Sequence, residues 1–112
     1  MTERRGLRRY RAEVAVEFAP SEAKMTGRTW DVSLGGMFVR SNWMPAKGDK
    51  LFVTLRFNDG RQLMLQGQVV RTFLPSALLR KLLPTGFALA LKSGESYKKF
   101  VESVASSADA KS

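Results

Sequence analysis

Hydrophobic and polar positions alternate with a period of two along most of the chain, the signature of strands that bury one face. Val14, Val16 and Phe18 interleave with Glu13, Ala15 and Glu17, predicting a strand over residues 12–19. Pro20-Ser21 supplies a turn, a second β-like run covers residues 25–32, and a third strand lies near 37–40, after the turn DVSLGG at residues 31–36. Pro45 and Gly48 interrupt the pattern. Leu51, Val53, Leu55 and Phe57 then alternate with Phe52, Thr54 and Arg56, and Asn58-Asp59-Gly60 is hairpin chemistry leading into a strand over 61–73. Leucines 78, 79, 82 and 83, between Pro75 and Pro84, have helical spacing and predict a short helix in the loop before the last strand. Residues 86–91 alternate small and large side chains, as a strand does when packed closely on one side. Tyr97, Phe100, Val101 and Val104 recur at i, i+3, i+4 and i+7, a helix that Ser93 can cap and Glu95 favours in its first turn. The expected fold is mostly β: a small six-stranded antiparallel barrel closed by a C-terminal helix.

Composition narrows the chemistry. At 112 residues the chain suits one compact domain. No apolar run approaches the ~20 residues of a membrane helix, and the N-terminus lacks the apolar stretch of a signal peptide, so a cytoplasmic protein without a membrane span is expected. With no cysteine and no histidine, disulfides, thiolate zinc sites, His-dependent triads and imidazole bases are excluded. Asp49, Asp59 and the other acids fall in no catalytic pairing. A binding protein without a cofactor is expected, not an enzyme.

The charge is +9, from 19 basic and 10 acidic residues, and five arginines against Glu3 place almost half of that excess in residues 1–11. Such a field attracts phosphates, nucleic acids or anionic surfaces. In the arm ERRGLRRYR, Arg5 and Arg9 bracket three residues with Arg4 directly ahead, a spacing able to wrap a compact anion. Each guanidinium is a planar fork that grips a phosphate bidentately or meets the O6 and N7 acceptors of guanine. A solvated basic tail, or an arm lying along a nucleic-acid backbone, fits the same residues. In DVSLGG, the glycines reach backbone angles closed to other residues, yet a turn alone does not require Asp31 and Ser33. Asp31 can accept from the N1 and N2 donors of guanine, and Ser33 can donate or accept. An Asx-type turn, in which Asp31 bonds only backbone, is the alternative.

Arg5-Gly6-Leu7-Arg8-Arg9 ahead of the first strand, Asp31-Val32-Ser33-Leu34-Gly35-Gly36 between the second and third, Gly67-Gln68-Val69 in a later strand and Gly86-Phe87 opening the last together resemble the PilZ domain family. The family's marks are RxxxR and D/N-x-S-x-x-G, and the resemblance runs over nearly the whole chain. It implies a six-stranded PilZ-type barrel that binds the bacterial second messenger cyclic di-GMP, one or two molecules per chain, without transforming it. By the same resemblance Arg5 and Arg9 contact phosphate and guanine, Asp31 and Ser33 meet guanine, Gly35 and Gly36 admit the ligand, and Arg4 is similar to the residue of members that take two intercalated ligands. Arg8 leaves an alternative register open, since Arg4 and Arg8 also satisfy RxxxR. Some members carry a stacking aromatic where this chain has Arg71, whose planar guanidinium can stack on a purine or simply face solvent.

The resulting division is an arginine-rich ligand arm at 1–11, a barrel with its helix at 12–105 and a disordered tail at 106–112. The expected function is a cyclic di-GMP effector whose arm orders on binding and signals to an unknown downstream protein, in a family that serves motility, exopolysaccharide production, adhesion and virulence. Two other readings stand beside it: a nucleic-acid-binding barrel, with Trp30, Trp43 and Phe38 as stacking surfaces, and a PilZ-like adaptor that binds no messenger.

Overall fold

The computed structural model describes residues 8–19, 25–92 and 94–111, with side chains up to residue 107. Seven strands and one helix follow in the order β1 (Tyr10–Arg11), β2 (Ala15–Ala19), β3 (Met25–Ser33), β4 (Gly36–Arg40), β5 (Lys50–Arg56), β6 (Gln62–Phe73), β7 (Gly86–Leu91) and α1 (Glu95–Lys111). All pairings are antiparallel. Strands β3, β2, β5, β6, β7 and β4 neighbour one another in that order, and the β3–β4 pairing closes the ring; β1 adds to β3 from outside. Closure leaves the six barrel strands without an edge.

The period-two pattern sets which residues fill the barrel. Val16 and Phe18, Leu51, Val53 and Leu55, Met37 and Val39, and Phe87 and Leu89 point inward and are buried. Tyr97 and Val101 of α1 join the same cluster, so the helix stripe closes the barrel rather than lying free on its surface. The Asn58-Asp59-Gly60 hairpin forms with Arg56 opposite Gln62. Gly60 sits at φ 93°, where a Cβ would be strained, and Asp59 accepts from the Arg61 amide at 3.0 Å and from its guanidinium at 2.7 Å. Those contacts hold the Asp59 carboxyl below its usual range, the backbone amide contributing most.

Three expectations need correction. The strand predicted over 12–19 begins only at Ala15, as β2, and the short β1 forms ahead of the predicted start. Across from the gap, β3 carries a bulge between Thr29 and Asp31, and besides the Thr29 amide bond to the Val14 carbonyl at 3.0 Å the buried Thr29 hydroxyl bridges the interruption by donating to the Ala12 carbonyl and accepting from the Val14 amide at 2.9 Å. No helix forms between Pro75 and Pro84; the segment is a succession of turns. Its leucines face solvent, so no core contact offsets the cost of nucleating two turns of helix. Helix α1 runs to Lys111, past the boundary at 105, because no glycine or proline stops it and its alanines favour helix. The proposed Ser93 cap and the Pro20-Ser21 turn lie outside the described residues.

Candidate functional site

The bulge in β3 decides what the acid of the DVSLGG turn can do. Strict alternation from the inward Thr29 would put Trp30 outside, Asp31 inside and Val32 outside. The extra residue shifts the phase: Trp30 and Asp31 both stay partly exposed, and Val32 is buried instead. A second bulge, between Val69 and Arg71, does the same on β6 and leaves Val70 and Arg71 both exposed.

Register then aligns the outward residues in one row. Arg11 of β1 lies opposite Asp31 of β3, Asp31 opposite Phe38 of β4, Phe38 opposite Ala88 of β7, and Ala88 opposite Arg71 of β6. Directly paired residues share a face of the sheet. Three strand steps, about 14 Å, therefore separate Asp31 from Arg71. Phe38 is only 6% exposed, yet neither it nor Ala88 belongs to the interior cluster. The row thus has polar ends and a packed apolar middle.

Arg9 reaches the acidic end. Its Nε and a terminal nitrogen donate to Asp31 Oδ1 at 2.9 and 2.6 Å, so the basic arm and the turn meet across 22 residues of sequence. Both bonds fall on one oxygen. Oδ2 accepts nothing from the described residues. The pair is solvent-exposed enough, at 45% and 19% side-chain exposure, to be worth under about 1 kcal/mol. Arg8 turns the other way: its guanidinium lies 5.4 Å from the Tyr10 ring centre, in a small recess shared with Leu34 and with Val101 and Glu102 of α1. Arg4 and Arg5 are outside the described residues.

Ser33 is buried, its hydroxyl directed at the Gly36 carbonyl at 3.5 Å. A much better donor serves that same carbonyl, the Tyr97 hydroxyl at 2.6 Å. Burial pushes the Tyr97 phenol well above its ordinary value of 10, opposed by the Ser33 backbone and by the Arg9 charge and reinforced by Asp31. The phenol therefore senses the Arg9–Asp31 pair, and α1 is tied directly to the turn. The Gly35 carbonyl accepts from the Leu91 amide at 3.0 Å, tying the turn to β7 as well. Gly36 has a structural reason of its own: a Cβ there would lie 2.0 Å from the Leu89 carbonyl oxygen.

Sequence reasoning passed over the role of Trp30 as a cation platform. Arg11 stacks on it at 3.6 Å from the ring centre while donating to its carbonyl at 2.9 Å, and Arg40 approaches the same ring at 5.2 Å. The available signal was the break in alternation at Thr29-Trp30-Asp31. Trp43 packs against Phe18 with ring centres 5.7 Å apart, and Phe38 is covered, so of the three suggested stacking surfaces Trp30 alone is accompanied by arginines. No group of three or more acids that could hold a metal occurs among the described residues.

The family model of the PilZ domain matches residues 3–75, a span that contains both motifs. The chain belongs to the PilZ domain family. PilZ domains are cyclic di-GMP effector and adaptor domains. Among solved structures, the chain is similar to the Bacillus subtilis inhibitor of motility, MotI/DgrA, with a TM-score of 0.68 and 20% identity over 88% of this chain and 48% of that one. It thus spans about half the length of that protein. It is also similar to the PilZ domain of CeSA from a cellulose synthesizing bacterium, with a TM-score of 0.56 and 23% identity over 84% of this chain and 89% of that one. At these identities the likeness is one of fold. No curated protein matches the sequence significantly. No helix among the described residues is long and apolar enough to cross a membrane.

Proposed function

We propose that this chain is a cyclic di-GMP receptor that passes the signal to a partner protein through its arginine arm. The observation that carries the reading is the Arg9–Asp31 pair, which joins the two family motifs in space. Guanine presents N1 and N2 donors to a carboxylate, so it can take the place of Arg9 on Asp31 or add at Oδ2. Arg9, once displaced, is a fork for phosphate. Arg4 and Arg5 supply the remaining cationic contacts, Gly35 and Gly36 keep the turn compact beneath the ligand, and Arg71 stacks or pairs at the far end of the row. The orientation of Arg8 toward Tyr10 and α1 favours the Arg5–Arg9 register over Arg4–Arg8. Ser33 acts through the shape of the turn, because its hydroxyl is buried against Gly36.

The arm is the transducing element of this reading. Fixing each residue of a basic, glycine-containing segment costs roughly 1–2 kcal/mol, which bidentate arginine contacts to the messenger must exceed. A partner that distinguishes the arm-closed surface then reads messenger concentration. Calorimetric titration of cyclic di-GMP into wild type and into Arg5→Ala, Arg9→Ala and Asp31→Ala, with GTP as control, tests the site. Binding of one or two ligands by wild type, lost on changing Arg5 or Arg9, is the expected result. A folded wild-type protein that shows neither heat nor chemical-shift change with cyclic di-GMP refutes it. Backbone amide relaxation equally rigid over residues 4–11 with and without ligand refutes the arm as transducer.

A further inference from the structure

At the end of the barrel away from the DVSLGG turn, β3 and β4 place Arg28 directly opposite Arg40. Like charges facing one another across a ladder destabilise the pair. Arg28 makes no hydrogen bond or ion pair with the described residues. Arg40 has a loose contact to Glu13 at 3.7 Å, on a side chain that is itself half exposed, and its guanidinium lies 5.2 Å from the Trp30 ring centre. A third guanidinium, Arg80 of the 74–85 segment, comes to the same place, its Nε fixed on the Pro75 carbonyl at 3.2 Å. These three arginines line one cleft of about 500 Å³ with Ser41, Asn42 and Leu83, and no acid is among its lining residues.

Through Leu83 and Arg80 the cleft adjoins the exposed leucines of the 74–85 segment. Leu78 and Leu82 are 90% and 74% exposed, Leu79 and Leu83 about 40%, and Leu74 of the same segment is exposed as well. Leucines this exposed bury nothing for the fold, and five of them within ten residues of sequence mark a contact surface. From Thr72 to Thr85 the chain carries Arg80 and Lys81 and no acid. The charge is therefore complementary to an acidic partner and the leucines to an apolar one.

We infer that this cleft and its adjoining leucines are the surface on which the domain holds a partner protein through an amphipathic, acidic segment whose carboxylates enter between Arg28, Arg40 and Arg80 while its apolar side chains cover Leu78 and Leu82. Three guanidiniums gathered around one cleft favour the closely spaced carboxylates of a protein segment over an anionic bilayer, whose phosphates spread over a flat surface. The forked geometry of guanidinium suits carboxylates, and partner acids would relieve the Arg28–Arg40 repulsion. The inference deepens the reading of the chain as an effector that acts through a partner, and the cleft shares no lining residue with the Arg9–Asp31 pair.

The test uses fluorescence anisotropy with a labelled amphipathic helical peptide of leucine and glutamate, its counterpart with lysine in place of glutamate, phosphatidylglycerol vesicles and inorganic pyrophosphate. The glutamate peptide binds wild type and the lysine peptide does not. Arg28→Glu, which can pair with Arg40, and the double variant Leu78→Ser with Leu82→Ser each weaken binding roughly tenfold or more, with thermal midpoints no lower than wild type, since these side chains support no core contact and the first change relieves a repulsion. Equal binding of both peptides, or affinity unchanged in both variants, overturns the inference. Vesicle binding lost in the leucine variant without peptide binding overturns it in favour of a membrane surface, and pyrophosphate binding without peptide binding overturns it in favour of a small-anion site. Titrating the same variants with cyclic di-GMP separates the two readings. Wild type that binds the glutamate peptide but not the messenger refutes the receptor and keeps the docking surface; the reverse refutes the docking surface and keeps the receptor.

Discussion

Replacing Tyr97 by phenylalanine removes one oxygen from a fully buried side chain and leaves the ring in place, so no large cavity enters the effect. What is lost is the 2.6 Å bond to the Gly36 carbonyl, whose other side-chain donor, the Ser33 hydroxyl, is 3.5 Å away. A buried acceptor deprived of its donor costs about 1–3 kcal/mol. Taking the middle of that range and about 5 °C per kcal/mol for a domain of this size, the variant melts on the order of 10 °C lower. The pH dependence supplies a second, independent signature. Because burial raises the Tyr97 pKa above its ordinary value of 10, the folded protein keeps the phenol protonated where the unfolded chain has lost the proton. Its stabilising contribution is complete below pH 10 and falls by about 1.4 kcal/mol per unit above it. The phenylalanine variant has no such slope. Urea unfolding followed by tryptophan fluorescence at pH 8 and at pH 10–11 reads both effects: the gap between wild type and variant is full at pH 8 and shrinks at high pH. A gap that stays constant to pH 11, or equal stabilities at pH 8, would show that the hydroxyl neither supports the turn nor resists ionisation.

Arg9→Ala and Asp31→Ala each change stability by less than about 1 kcal/mol in urea titrations, because the pair is exposed, while both abolish cyclic di-GMP binding by calorimetry; a loss of several kcal/mol would make the pair structural. Gly36→Ala and Gly86→Ala fail to fold or lose more than about 3 kcal/mol, since their Cβ atoms would lie 2.0 Å from the Leu89 oxygen and 1.9 Å from the Val39 oxygen, whereas Gly94→Ala, with nothing within 4 Å, leaves the thermal midpoint within a few degrees. Thr29→Val leaves the Ala12 carbonyl and the Val14 amide without their shared hydroxyl, costs about 2–4 kcal/mol, and shows fast amide exchange at residues 10–14 before the rest of the barrel.

The barrel was legible because its inward positions obey period two and its strongest turn, Asn58-Asp59-Gly60, is local chemistry. Period two fails at Trp30 and at Val70, where bulges insert a residue, and a bulge has no composition of its own in a single sequence. Those two failures are where Asp31 and Arg71 come to share the outer face, so the site's geometry rests on the least legible part of the chain. The leucines of 78–83 have helical spacing without a partner surface, and spacing without burial does not make a helix. The Tyr97 contact to Gly36 spans 61 residues and follows only from helix packing. The motifs themselves were readable as residue types, and their meeting through Arg9 and Asp31 was not.

The energetics distribute motion unevenly around the DVSLGG turn. Its barrel side is rigid: β4 and β7 approach so closely at Gly36 and Gly86 that no Cβ fits, Leu91 anchors Gly35, and Tyr97 anchors Gly36 with a buried bond. Deforming that side means breaking buried hydrogen bonds, at about 1–3 kcal/mol each. Its arm side is held, among the described residues, by β1 on β3 and by an exposed ion pair worth under about 1 kcal/mol. A messenger that exchanges Arg9 for guanine on Asp31 therefore meets its least resistance on the arm. On the proposed reading this makes the turn a fixed platform and the arm the part that changes. The coupling to α1 then includes charge as well as contact, because Arg9 is the one side chain among the described residues that favours ionisation of Tyr97. Messenger binding should push the Tyr97 pKa still higher while the Tyr97–Gly36 bond stays intact. Were ligand instead to expose the phenol and let it titrate near 10 in the folded protein, the helix and not the arm would be the moving element.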